Sequence, residues 1–393
     1  MLSYDPHDPR WLVDGVPFDH LARIRAEQPV CPTPTGARYL SRYADVEAAL
    51  KDVDTFRADL GVLSGLGGVE EVPDEQLYLS EIDEPRHGQI RRLFNATFGP
   101  HRIAAEADFV EQTCHRLVDD LVAHPPGDLH AGYALPIPGL VMAHIMGLEP
   151  EAATHFMAWS GDGRIMQRPC TPGVGDAHEP HRWFAEVLAA RRADPDPPDD
   201  VFARLAGAEV EGEPLTDTEI LTQLQFMVQA GVHTTRGLLT HLAGRLVAEP
   251  ELFAQLRHDR ALVPTFVEES LRHDAPVQRT SRRCTHAVEF AGEHFDTLDW
   301  VEMGIASANR DEAVYDDPDA FRLDRPEPRR HLAFGAGPHV CPGAALARLE
   351  GTVSVQVLLD RCRSLDAVAG ATYPPVPGNL GHAPIPAVLV EDT

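Results

Sequence analysis

The sequence predicts a mainly α-helical fold with small β-sheets. Three observations point there. Apolar residues recur every three to four positions over long stretches, strand-like alternation is short and sparse, and 43% of 393 residues are hydrophobic, ample for a large core. In chain order the helical pattern covers Phe18 to Glu27, Tyr43 to Lys51, Pro85 to Phe94, Ala104 to Val122, Leu140 to Met146, Pro150 to Trp159 and Pro180 to Arg192. It resumes over Asp217 to Ala248, Pro250 to His258, Val263 to His273 and Ala344 to Arg361. Strand patterns fall at Ala37 to Leu40, Ala287 to Ala291, Trp300 to Ile305 and Ala387 to Val390.

Local signals mark several of these elements. Asp83-Glu84-Pro85 reads as an N-capped helix start with proline in its first turn. Thr216-Asp217-Thr218-Glu219 is a capping box that opens the longest helix. Asp194 to Asp200 reads as an exposed loop. No uninterrupted apolar run reaches the length of a membrane span, and MLSYDPHDPR has neither a basic nor an apolar signal region, so a soluble, cytoplasmic protein is expected. The six cysteines form no CxxC pair, which argues against a disulfide scaffold or a zinc site. A formal charge of -27 argues against nucleic acid and against an anionic membrane surface as partners.

The chemistry concentrates near the C-terminus, at Phe334-Gly335-Ala336-Gly337-Pro338-His339-Val340-Cys341-Pro342-Gly343, which runs into the apolar helix from Ala344. Gly335, Gly337 and Gly343 let the backbone turn sharply and approach a flat group closely. The positive end of the following helix favours ionised sulfur on Cys341. A lone cysteine beside a glycine turn would by default be inert and buried. The full run resembles the haem-binding signature of cytochrome P450s, whose defining positions are filled by Phe334, Gly335, Gly337, His339, Cys341 and Gly343. The resemblance extends from about residue 15 to about residue 390. It implies a cytochrome P450 fold, haem b (iron protoporphyrin IX), and Cys341 as the metal ligand.

Three further segments resemble the same family. Ala230-Gly231-Val232-His233-Thr234-Thr235 lies inside the long helix. Ala230 and Gly231 are small enough for a planar cofactor, and mid-helix glycine costs about 1 kcal/mol, so it needs a packing or functional reason. By resemblance this is the oxygen-binding helix with Thr234 directing protons; the alternative, from the residues alone, is a helix-packing notch with an incidental threonine. Glu269 and Arg272 stand three apart on one helix face, a spacing that usually gives a surface ion pair. By resemblance they form a buried structural pair, with Arg325 as the third member. His87 and Arg91, one helical turn apart, together with Arg282 and His339, match the family's haem-propionate donors. Because these residues span positions 83 to 343, the chain is expected to form a single cytochrome P450 domain over 1–393.

The resemblance implies a haem-thiolate monooxygenase. It would use dioxygen, a ferredoxin or flavodoxin-type electron donor with its reductase, and a small organic, specialised-metabolite substrate. Substrate contacts are expected at Leu60, Leu63, Phe226, Val277 and Leu380. Two positions depart from the family pattern. His233 stands where relatives usually carry Asp or Glu, which leaves four readings: a substitute proton relay, a substrate contact, a sign of oxidative coupling or desaturation, or a ring turned to neighbouring backbone. Pro342 has no N–H to offer the sulfur, or simply starts the helix at its first position. From another class, a non-catalytic haem-thiolate sensor or a carrier-protein recruitment module remains an alternative; Thr234 and Cys341 weigh against it.

Overall fold

The computed structural model describes residues 2–58, 72–171, 173–175, 178–373 and 384–392. Its backbone separates into two compact units. The first comprises Met1–Arg57, Ala104–Ile137 and Thr234–Thr393, the second Ala58–Ile103 and Pro138–His233. The division falls inside the helix Asp217–Ala248, between His233 and Thr234.

In the first unit a five-stranded sheet runs in the order Val30–Pro32, Arg38–Leu40, Trp300–Met303, Thr280–Cys284, Phe56–Arg57. Trp300–Met303 pairs parallel with Arg38–Leu40 and antiparallel with Thr280–Cys284, in a register that sets Val301 opposite Arg282. Tyr4, Leu21, Ile24, Cys31 and Tyr39 form a buried cluster against this sheet. A second sheet orders Cys362–Ala367, Pro386–Glu391 and Gly127–Asp128. The helix Ala344–Arg361 packs on Ala107–Ala123 and on Val263–His273, and a Cβ at Gly351 would stand 3.2 Å from Val267 Cγ1 and 3.4 Å from Leu242 Cδ1. These contacts anchor the helix that follows the cysteine loop.

In the second unit the helices Arg86–Phe98, Ala152–Gly161, Glu179–Ala193 and Val201–Ala206 surround an aromatic core. Phe184 packs edge-on to Trp183 at 5.1 Å and stacks on Phe156 at 6.1 Å and on Phe202 at 6.1 Å. The capping box forms in full: Glu219 N–H donates to Thr216 Oγ1 at 3.2 Å and Thr216 N–H donates to Glu219 Oε2 at 2.8 Å.

The architecture is mainly helical with small sheets, and the differences from the sequence pattern have local causes. Thr280–Cys284 is a strand although Arg282 and Arg283 break any alternation, because sheet pairing on both sides fixes it. The strand expected to reach Ile305 ends at Met303, and Ile305–Ala308 turns into a helix. The helix expected from Pro85 starts at Arg86 and continues to Phe98. Asp83 does not cap it: its carboxylate accepts the Ala58 N–H at 2.7 Å, and Glu84 accepts the Gly88 N–H at 3.0 Å instead. Asp194 to Asp199 is exposed as expected, but Asp200 is buried and caps Val201–Ala206 through the Ala203 N–H at 2.9 Å.

Candidate active site

The cysteine loop is built by backbone hydrogen bonds and two left-handed residues. Cys341 N–H donates to Phe334 C=O at 2.9 Å, and Val340 N–H to Gly337 C=O at 3.1 Å. Gly335 and Gly337 have φ of 72° and 70°, which L side chains rarely adopt. At Gly337 space forbids a side chain as well. A Cβ there would stand 2.7 Å from the Leu50 carbonyl oxygen and 2.9 Å from the Lys51 Cα. The close approach that demands this glycine is therefore to the protein's own backbone, where the sequence suggested a cofactor. Gly343 is under no such constraint, with φ -84°, ψ 5° and its Cβ position 3.8 Å from Cys341 Sγ.

Those angles suit the third position of a type I turn closed by Ala344 N–H on Cys341 C=O at 3.4 Å. Pro342 then occupies the second position, which its fixed φ favours, and the helix begins two residues later at Ala344. The expectation of Pro342 as the first helical residue is corrected accordingly.

Cys341 is half-buried at the head of an 18-residue helix. The other cysteines are poor thiolates. Burial pushes Cys31 and Cys284 up to about 11 and Cys114 and Cys362 up to about 12, and it raises Cys170 too. Beside Cys341, Ala344, Ala345 and Ala347 are also only half-buried, an apolar surface next to a sulfur at the positive end of a helix. A flat apolar group whose metal takes one sulfur ligand fits this donor set.

Upstream, Glu269 and Arg272 are both buried, 1% and 2% exposed. Arg272 donates Nε to Glu269 Oε2 at 2.8 Å and Nη2 to Oε1 at 2.7 Å. Arg325 Nε adds a bond to Glu269 Oε1 at 2.9 Å, and the Arg322 N–H another at 2.8 Å. Burial alone would raise the Glu269 carboxyl, but Arg272, the Arg322 N–H and Arg325 together hold it below the usual range. The two guanidiniums also take the carbonyls of Asn309, Asp316, Asp317, Pro318 and Ala320, so one ion cluster folds this whole segment.

The long helix is buried over 220–225 and 235–247, yet between them Phe226, Gly231, His233 and Thr234 are half-buried and Ala230 is exposed. Gly231 answers to packing: a Cβ would stand 2.7 Å from Met142 Sδ. Phe226 stacks on Tyr78 at 5.3 Å. His87 is 1% exposed, its Nδ1 2.9 Å from Glu84 Oε1, while Arg91 Nε donates to Asn95 Oδ1 at 3.2 Å. Arg282 is buried in its strand, donating Nη1 to Ser281 C=O at 2.8 Å and to Thr280 Oγ1 at 3.2 Å. His339 is half-buried in the short turn Gly337–His339, and Val277 is half-buried just before Thr280–Cys284. Leu60, Leu63 and Leu380 lie outside the described residues. The sequence pattern missed Glu268, His331 and Arg348, which converge beside the loop. The second carboxylate of Glu268-Glu269 was the signal for them.

Residues 179–368 match the family model described as Cytochrome P450. A steroid C26-monooxygenase of Mycolicibacterium smegmatis is 30% identical, covering 94% of this chain and 92% of that protein. The chain belongs to the cytochrome P450 family. An erythromycin C-12 hydroxylase of Saccharopolyspora erythraea is 32% identical over 88% of this chain and 86% of its own. Among solved structures, cytochrome P450 CYP109Q5 from Chondromyces apiculatus superposes with a TM-score of 0.85 at 31% identity, covering 99% of both chains. The protein is thus a P450 monooxygenase, an oxidoreductase, and the family implies a haem-thiolate cofactor. Among the described residues, no helix is long and apolar enough to cross a membrane.

Proposed function

We propose that this P450 inserts one atom of dioxygen into a small organic substrate, a specialised metabolite, in the cytoplasm and as a single domain. Electrons come from a ferredoxin or flavodoxin-type protein with its reductase. The observation that carries the proposal is Cys341, a half-exposed thiol at a helix start in a loop held by Gly337 against Leu50 and Lys51. Relatives named for steroid oxygenation and erythromycin hydroxylation support oxygen insertion as the outcome.

When bound, haem b supplies the dioxygen chemistry, with Cys341 Sγ as its thiolate ligand. The chain's own residues do the rest. His87, Arg91, Arg282 and His339 offer charge-assisted donors to the two propionates. The Phe334 carbonyl and the turn through Pro342 and Gly343 fix the direction of Cys341 Sγ. Thr234 Oγ1 holds and passes a proton, and His233, next to it, moves one at a ring nitrogen where a carboxylate is more usual. Ala230 and Gly231 keep the helix slim. Phe226 and Val277 offer apolar side chains to the substrate, and the apolar residues Leu60, Leu63 and Leu380 are further proposed substrate contacts.

A second reading is oxidative coupling or desaturation, which draws the same two protons for dioxygen as hydroxylation but removes two hydrogens from the substrate and releases a second water. The deciding experiment is a ferrous-CO difference spectrum followed by product mass analysis with a surrogate ferredoxin and reductase. A thiolate-type band and a product heavier by one oxygen are expected. A product lighter by two hydrogens selects the second reading, and a thiolate band without turnover on any substrate overturns both in favour of a sensor.

A further inference from the structure

Glu268 immediately precedes the buried pair on Val263–His273 and has no part in the function described above. It is 4% exposed, and its carboxylate gathers three side chains. Arg348 donates Nε to Oε1 at 2.6 Å and Nη2 to Oε2 at 3.1 Å. His331 Nε2 lies 2.9 Å from Oε2. Arg329, mostly exposed, stands at 3.4 Å, where solvent screens it. The His331 tautomer follows from its other nitrogen, because Nδ1 accepts the Ala333 N–H at 3.3 Å and Nε2 must therefore carry the proton donated to Glu268. Burial opposes ionisation of Glu268, yet the bonds from His331 and Arg348 outweigh it and pull the carboxyl down to about 2.

The two arms reach opposite flanks of the cysteine loop. His331 lies three residues before Phe334, and Arg348 seven residues after Cys341. Both close on the Phe334 ring: the His331 ring is 5.9 Å away and the Arg348 guanidinium 4.6 Å from its centroid. Phe334 C=O in turn accepts the Cys341 N–H at 2.9 Å. Glu269, one residue on and about 100° round the helix, grips the segment upstream of the loop instead. Adjacent carboxylates thus have separate tasks.

We propose that Glu268 is the positioning residue of the cysteine loop: by holding His331 and Arg348 on one carboxylate it clamps Phe334, and through the Phe334 carbonyl it sets the direction of Cys341 Sγ. The proposal rests on Cys341 being the haem ligand, which Cys341→Ser tests separately. If that variant keeps the thiolate-type ferrous-CO band, the ligand assignment itself fails, whatever Glu268 does.

The test uses the haem-loaded full chain, with ferrous-CO spectra read alongside circular dichroism. Glu268→Gln puts an amide NH2 against two donors and should lose at least half of the thiolate-type band while helix content is kept. His331→Leu should do the same by removing one arm, whereas His331→Gln, which can still donate to Glu268, should restore most of the band. If Glu268→Gln does not fold, the His331 pair decides. A wild-type proportion of thiolate band in Glu268→Gln, or equal bands in His331→Leu and His331→Gln, overturns the proposal.

Discussion

Glu350 is a buried acid that no hydrogen bond rewards: it is 1% exposed, its Oε2 has no partner, and burial pushes it up to about 8. An unfolded glutamate releases its proton near 4.5, so between that pH and 8 the folded state binds more protons and stability falls as pH rises. The loss is on the order of 4 kcal/mol when ionisation is complete. Glu350→Gln should therefore flatten this slope, which urea midpoints at about pH 5 and about pH 9 would read; an unchanged slope would mean that Glu350 is solvated. The loop glycines separate in the same way. Gly337→Ala meets both a φ of 70° and the Leu50 carbonyl, and should cost about 2–4 kcal/mol, whereas Gly343→Ala meets neither and should cost under about 1 kcal/mol. Equal melting temperatures for the two variants would contradict this. His233 stands next to Thr234 in the long helix, so His233→Asp should preserve coupled turnover and His233→Phe should slow it if the imidazole relays protons. Weakened binding in both variants would show that it holds substrate instead.

Among elements, those with a repeating pattern were legible. The helix Asp217–Ala248 shows its capping box and its full length in the sequence, and Val263–His273 and Ala344–Arg361 show their apolar spacing. Short strands were not. Thr280–Cys284 carries two arginines in the middle, and Phe56–Arg57 and Gly127–Asp128 have two residues each, so pairing partners distant in sequence decide them. The segment Asn309–Arg325 has no regular element either, since its carbonyls are taken by Arg272 and Arg325 in place of a ladder. That arrangement predicts the effect of Arg325→Ala. The variant takes the guanidinium donor from the Asp316 carbonyl, leaves the Asp317 and Ala320 carbonyls with one donor each, and removes one of two guanidiniums from a buried carboxylate. Arg272 still pairs Glu269 bidentately, so the loss should stay near 2–3 kcal/mol and the helices should remain. Denaturant midpoints would check it, and a change under about 0.5 kcal/mol would assign Arg325 to the solvated surface.

At the scale of the molecule, the site was legible where its chemistry is contiguous, from Phe334 to Gly343, and illegible where it is assembled by folding. Glu268 meets His331 and Arg348 across sequence separations of 63 and 80, which no local pattern encodes. Net charge is the opposite case, read at once but silent about any single contact. With 61 acidic and 34 basic residues the chain carries a formal -27, and its excess carboxylates repel one another throughout the fold. Exposed pairs such as Arg164 with Asp162 or Arg182 with Glu186 oppose this only weakly, because solvent screens them. Salt weakens both, shortening the screening length from about 30 Å at 0.01 M to about 8 Å at 0.15 M. The buried clusters around Glu268 and Glu269 lie out of its reach. Repulsion acts over many pairs at long range, where screening removes most, while the attractive pairs sit within 4 Å, where it removes least. Sodium chloride over this range should therefore raise the melting temperature of the protein, and a fall in scanning calorimetry would show that the exposed ion pairs outweigh the net charge.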